Sequence, residues 1–430
     1  MEKNLAFKEL VAIAVGGMVG GGIFTILGVA VSMVGVLAPF AIALGGVLAF
    51  FAAYSYVKLG VYYKDEGATY AFFKRTYPQS DLAASFIGWF TLFGYISTLA
   101  LYAYTFSAYV TSGFEALQAE WLRKVVALSI IWLFTAVNLW SVKGMGKLED
   151  IMVYSKLLIL FVLSFFLIYY GKTDFSTFMQ SMQQDFEHSS LWSIFIVASV
   201  TFVAYEGFQL VINATNEMQT PEKNIPRAIY TSIFLVAFIY FIIALGAVLA
   251  ISTEDLIQNK EYALATGASE IMGVWGKNFV ILGAILATSS AISGTMFGSS
   301  RQMARIAEDG YLPSLLSKRK ATTPSYAIVA MSLTASLLIL LGGLELILEF
   351  GSITFLLVSL LMSIANFHIR EKTNASTSFT LISMAGLFIG TVFILYYEYQ
   401  TKPEQLLFIV GLYALLSLGA WSYAKVQKVL

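Results

Sequence analysis

The chain has 430 residues, of which 58% are hydrophobic, 12% are charged and none is cysteine. Soluble domains carry about 25% charged residues, so this composition belongs to a polytopic membrane protein. Zero net charge leaves no nucleic-acid footprint, and the lack of cysteine excludes disulfides, thiolate metal sites and cysteine nucleophiles. Met1-Glu2-Lys3-Asn4 leads directly into an apolar segment without an Ala-x-Ala cleavage pattern, so the first helix is expected to target itself.

That first segment, 7–34, contains Ala12 to Thr25, with Gly16, Gly17, Gly20, Gly21 and Gly22 close together. An interior helical glycine costs roughly 1 kcal/mol relative to alanine, so the cluster predicts local unwinding. Unwound backbone survives in lipid only where its polar groups meet a cavity, a ligand or protein. A broken transmembrane helix is a pointer to a transporter's site, although glycines at this spacing also permit close helix–helix contact.

Further apolar runs follow at 36–62, 81–112, 122–142, 148–170, 191–217, 226–251, 277–300, 324–342, 343–369, 378–397 and 402–424, predicting twelve transmembrane helices in all. Residues 341–345, Leu-Gly-Gly-Leu-Glu, must supply the tight turn between the ninth and tenth. Placing the N-terminus inside gives nineteen Lys and Arg in inner segments and six in outer loops, with Lys156 inside a span. This asymmetry predicts a multi-pass protein of the cytoplasmic membrane with both termini cytoplasmic. Outer segment 252–276 opens with Ser252-Thr253-Glu254-Asp255, an N-cap pattern, and predicts a short amphipathic helix over the outer mouth. Inner segment 301–320 spaces Arg301, Arg305 and Glu308 helically, then stops at Gly310 and Pro313.

Span six carries a second interruption, Thr201 to Phe208, with a glycine, aromatics and the carboxylate of Glu206 at membrane depth. It lies five spans after the first break, the arrangement of an inverted-repeat transporter. Residues 7–170 and 191–369 are expected to be the two repeats of a single transporter domain spanning 1–430, with 378–424 adding two helices.

Four stretches resemble the amino acid–polyamine–organocation (APC) superfamily, and its small prokaryotic proton-coupled amino acid permeases in particular. They are Gly17-Met18-Val19-Gly20-Gly21-Gly22-Ile23-Phe24, then Phe202 to Phe208, then Asn213 to Ile229, and finally Ser299-Ser300-Arg301 with Ala307 to Pro313. The resemblance implies an all-α fold with a leucine-transporter-like 5+5 inverted repeat. It also implies alternating-access transport of an amino acid, coupled to protons or to exchange.

By motif position, the substrate would meet Met18, Val19, Gly20, Gly21, Gly22 and Ile23 in the first break. In the second it would meet Phe202, Val203, Tyr205, Glu206 and Gly207. Amide N–H groups of Gly21, Gly22 and Ile23, at the start of an outer half-helix, suit a carboxylate. Carbonyls near Met18 and Val19, and those of Phe202, Val203 and Glu206, suit an ammonium. Phe202 and Tyr205 are either an aromatic gate or packing. Glu206 either attracts a cationic amino acid or polyamine, carries a proton, or caps the freed backbone.

Lys156 lies about 12 Å into span five at 1.5 Å per residue. An intramembrane lysine costs at least ~2.5–3.5 kcal/mol and implies function unless it snorkels to the surface. In the proton-coupled permeases that this sequence resembles, a lysine in this place stands where sodium-coupled relatives hold sodium. Its expected contacts are the Gly16 carbonyl and the hydroxyls of Ser289, Ser290 and Ser293. Asn213, Asn216 and Glu217 read as caps, and His188 and His368 have no metal-ligand spacing. No cofactor is expected. No His-Glu-x-x-His, Gly-x-Ser-x-Gly or phosphate loop supports an enzyme. A proton-coupled symporter, an amino acid or polyamine exchanger and a non-transporting nutrient sensor remain, as monomer or homodimer.

Overall fold

The computed structural model describes residues 5–113, 119–140, 145–189, 191–320 and 323–427. Three of the nineteen inner Lys and Arg, Lys3, Lys143 and Lys428, lie outside them. The described chain is helical, with isolated bridges at Leu5–Met218 and Lys320–Thr323.

The first span is two half-helices, α1 (Phe7–Met18) and α2 (Gly22–Val34), parted by Val19–Gly21. A 3-10 turn, Gly35–Leu37, joins α2 to α3 (Ala38–Tyr63), and Pro39 sits in the first turn, where no N–H is needed. Then follow α4 (Ala68–Thr76), α5 (Asp81–Ser112), α6 (Glu120–Trp140), α7 (Met145–Tyr169) and α8 (Phe175–His188). Ser80 caps α5 by accepting from the Ala83 N–H at 3.2 Å.

The sixth span is α9 (Leu191–Val200), a 3-10 stretch Thr201–Tyr205, a turn through Gln209, and α10 (Leu210–Asn213). Beyond it are α11 (Pro221–Ala250), α12 (Thr253–Gln258) and α13 (Ala263–Glu308), the last kinked at Gly273. The chain ends with α14 (Ser325–Leu341), α15 (Leu344–His368), α16 (Arg370–Thr373), α17 (Thr377–Thr401) and α18 (Pro403–Gln427).

Every expected span meets a helix or a pair of half-helices. Ten described segments are long and apolar enough to cross a membrane, with Gly22–Tyr63 counted as one and Ser325–Leu341 as a shorter apolar helix. Several boundaries move. Span seven begins at Pro221 rather than 226, because proline at the first helical position starts a helix well. Span eight is preceded by a helical stretch from Ala263, which meets it at Gly273 (φ 64°). The 252–276 segment does open on a short capped helix, α12, whose Ser252 accepts from the Asp255 N–H at 3.1 Å. Helices α4 and α8 were not expected, being short and too polar to register as spans.

The long helix α5 runs through the centre and packs on α13, α15, α18 and α6. α11 packs on α3, α1 and α7, while α17 covers α15, α3 and α9. Outer helices show apolar side chains to the surroundings, as Phe161 on α7 and Leu407, Leu415 and Leu418 on α18 do. Such faces suit lipid, since hydrocarbon is as apolar as leucine.

Candidate functional site

The two broken helices cross at their breaks. Gly207 has φ 126°, and a Cβ there would lie 2.6 Å from the Gly17 carbonyl carbon and 2.7 Å from the Met18 nitrogen. A Cβ on Gly22 would meet that of Ala204 at 2.7 Å. The glycines thus let one unwound backbone lie against the other, so both readings of the cluster, unwinding and close contact, hold together.

Breaking α1 at Met18 orphans its last carbonyls, and each described partner is specific. Val15 accepts from the Val19 N–H at 2.8 Å. Gly16 accepts from the Lys156 Nζ at 2.7 Å. Met18 accepts from the Gly20 N–H at 2.9 Å and from the Tyr240 hydroxyl at 2.9 Å. The Tyr240 hydroxyl also lies 3.2 Å from the Ala204 carbonyl, so one fully buried side chain of α11 spans both breaks. The Met18 carbonyl therefore has both lone pairs engaged in this conformation.

Tyr240 was not foreseen; a tyrosine in an apolar span gives no signal until its partner carbonyls are placed. Its replacement by phenylalanine removes the one hydroxyl proton that the Met18 and Ala204 carbonyls share. The expected loss is about 1–3 kcal/mol, read as a lower unfolding midpoint of the detergent-solubilised protein. An unchanged midpoint would show that the two breaks do not depend on this hydroxyl.

Around the second break, Ser352 of α15 donates to the Val200 carbonyl at 2.5 Å and accepts from the Val203 N–H at 3.3 Å. Tyr205 is fully buried; its hydroxyl donates to the Ile42 carbonyl at 2.7 Å and its ring lies 5.4 Å from that of Tyr240. Phe202 is also fully buried. Gln209, which no local sequence pattern marks, holds the turn closed. Its Oε1 accepts from the Gly207 N–H at 3.0 Å, and its Nε2 reaches Glu206 Oε2 at 2.8 Å and the Tyr95 hydroxyl at 3.3 Å.

A small, partly open cavity lies below the crossing, on the side of the chain termini. Its walls include Gly17, Glu206, Gly207, Tyr95 and Tyr102, with Asn213, Ser299 and Gln302 towards its mouth and Phe355 opposite. Glu206 is 3% exposed, and its Oε1 has no hydrogen-bond partner among the described residues. Phe202, Val203 and Tyr205 do not line this cavity.

Val19, Gly20, Gly21, Gly22 and Ile23 are buried above it. Tyr102 and Ala291 close over Gly20, with Thr105 and Thr288 over Gly21. As the first residues of α2, Gly22 and Ile23 have N–H groups with no acceptor one turn back in that helix.

Lys156 has no exposed surface, which removes the snorkelling alternative for its side chain here. Its ammonium meets the carbonyl end of α1, where the helix dipole favours a cation. Ser289, Ser290 and Ser293 are buried on α13, which packs against α7. Among the described residues no group of acidic, histidine or cysteine side chains could hold a metal.

Comparison with known proteins accords with this geometry. The sequence model of the family described as "Amino acid permease" matches residues 5–413. The chain is 30% identical to the inner membrane transport protein YbaT of Escherichia coli, over 95% of this chain and 94% of that one. It is 27% identical to an uncharacterized protein of Methanocaldococcus jannaschii, over 99% and 96% respectively. Asc-type amino acid transporter 1 of Mus musculus is 26% identical over 82% of this chain and 67% of its own. The motifs, the crossed broken helices and the extent of the match place this chain in the amino acid permease family of the APC superfamily, a family of multi-pass membrane transporters of amino acids rather than enzymes.

Proposed function

We propose that the protein is a secondary transporter that carries amino acids by alternating access and couples their movement to protons through Lys156. The observation that carries this reading is the 2.7 Å bond from the buried Lys156 ammonium to the Gly16 carbonyl, two residues before α1 breaks. One unwound segment then touches the amine through Gly16 and offers the N–H groups of Gly21, Gly22 and Ile23 to a substrate carboxylate. Losing the proton weakens the hold of Lys156 on the end of α1 and frees the half-helix to move. Residues 7–170 and 191–369 act as inverted repeats around the crossing, residues 378–424 flank them, and both termini face the cytoplasm.

Reconstituted protein tests the reading through uptake of labelled amino acids with and without an imposed pH gradient. Accumulation driven by the gradient is expected. Counterflow without such accumulation would instead make the protein an exchanger, and ligand binding without either would make it a sensor.

A second reading, for the substrate, rests on the unpartnered Oε1 of Glu206 in the cavity wall. A carboxylate oxygen lacking a donor suits a second ammonium or guanidinium, as in lysine, arginine or a polyamine. Glu206→Gln removes a charged hydrogen bond of about 1.5–3 kcal/mol, roughly a tenfold or greater loss for cationic substrates. Competition of neutral and cationic amino acids for uptake measures it. An equal loss for both classes would assign Glu206 to holding the turn with Gln209.

A further inference from the structure

At the end of the bundle away from the termini lies a second buried polar cluster, separate from Lys156 and the cavity. Lys402, between α17 and α18, donates to Glu345 Oε2 at 2.7 Å and to Glu349 Oε1 at 3.0 Å. Gln405 donates to Glu349 Oε2 at 2.5 Å, and Lys260 pairs with Glu345. Beside Glu349 stands Glu398 of α17, which has no exposed surface. Neither of its carboxyl oxygens has a donor within reach among the described residues. Its polar neighbour is the carboxyl of Glu349, which is 1% exposed.

Two ionised carboxylates are both acceptors and cannot bond one another; with one proton between them, one becomes a donor. Charge leads to the same result. Glu345, Glu349 and Glu398 face Lys260 and Lys402, so the cluster is neutral only while it holds one proton. Tyr397 lies with its ring 5.5 Å from the Lys402 ammonium, and Glu261, a neighbour of Lys260 and Glu345, is paired with Arg123 and adds no net charge. A buried net charge is costly, and neutral groups replace it where a proton is available.

From these contacts we infer that Glu349 and Glu398 form a proton-binding carboxyl pair, and that its proton latches the 259–262 loop over α2. The loop is joined to the pair through Lys260, Glu345 and Lys402 in sequence. Its backbone rests directly on α2: a Cβ on Gly28 would lie 2.3 Å from the Lys260 carbonyl oxygen. When the proton leaves to water, the pair gains a negative charge. Lys402 is then drawn from Glu345 towards the two carboxylates, and the tie to Lys260 loosens.

Substrate-free protein tests this, so a failure here leaves the transport reading standing, and the reverse also holds. Infrared spectra of the full chain in detergent are expected to show a protonated carboxyl band at neutral pH. Glu398→Gln, which mimics the protonated group in shape, is expected to remove it. Glu349→Gln takes the same proton away from the other side and serves if the first variant fails to fold. Because the chain has no cysteine, Leu256→Cys reports on the loop, its side chain being fully buried on α12. Thiol labelling at that position is expected to rise more steeply with pH in the otherwise native chain than in one carrying Glu398→Gln. The inference is overturned if both glutamine variants keep the infrared band, if Glu398→Gln leaves the labelling profile unchanged, or if sodium at fixed pH suppresses labelling as acid does.

Discussion

Lys156→Ala is expected to abolish gradient-driven accumulation of amino acid while changing substrate affinity by less than tenfold, under ~1.4 kcal/mol. The physical basis is the place of the ammonium. It donates to the Gly16 carbonyl at 2.7 Å, at the end of a half-helix whose last carbonyls have no donor within the helix. The Gly21 to Ile23 N–H groups proposed for the substrate carboxylate belong to the opposite half, so removal of the amine leaves them in place. Binding is measured by equilibrium titration of the purified protein. Transport is measured by uptake into liposomes across a series of imposed pH gradients. Lys156→Met, which keeps an unbranched apolar stem, separates loss of the proton carrier from loss of packing. Uptake that keeps its native pH dependence in the methionine variant would remove Lys156 from the coupling mechanism.

Gly207→Ala is expected to lower stability more than any other single-methyl addition in the two breaks and to stop transport. Its φ of 126° is a region where a side chain costs about 1–3 kcal/mol in backbone strain alone. The added Cβ would also sit 2.6 Å from the Gly17 carbonyl carbon, well inside contact distance. Backbone atoms of a packed half-helix cannot swing aside as the end of a side chain can. Either α1 and α10 separate or the turn at Glu206–Gln209 opens, and both move the cavity wall. Gly411→Ala in α18 is the control, because nothing lies within 4 Å of its added methyl. Thermal unfolding and uptake on the two variants make the comparison. Equal behaviour would mean that the two breaks do not press together in the working protein.

Much of this organisation was legible in the chain itself. An apolar run of about twenty residues must cross a bilayer as a helix, whatever its neighbours, so the spans follow from composition. The breaks were legible too, because glycine clusters and a carboxylate at membrane depth are local departures from that rule. Lys156 stood out for the same reason, and its expected partner, the Gly16 carbonyl, is where the structure puts it. Short amphipathic pieces such as α4 and α8 were not legible, since neither length nor hydropathy separates them from polar loops.

Tertiary structure alone decided which polar groups close the breaks. Tyr240 and Ser352 come from positions with no distinguishing local pattern, yet each meets a carbonyl orphaned elsewhere in the chain. The same is true of Glu398, which reads as one more carboxylate near a helix end until Glu349 is found beside it. Composition and periodicity determine where backbone hydrogen bonds must fail inside the membrane. Which side chain satisfies each lost bond depends on helices hundreds of residues apart, brought within 3 Å only by packing.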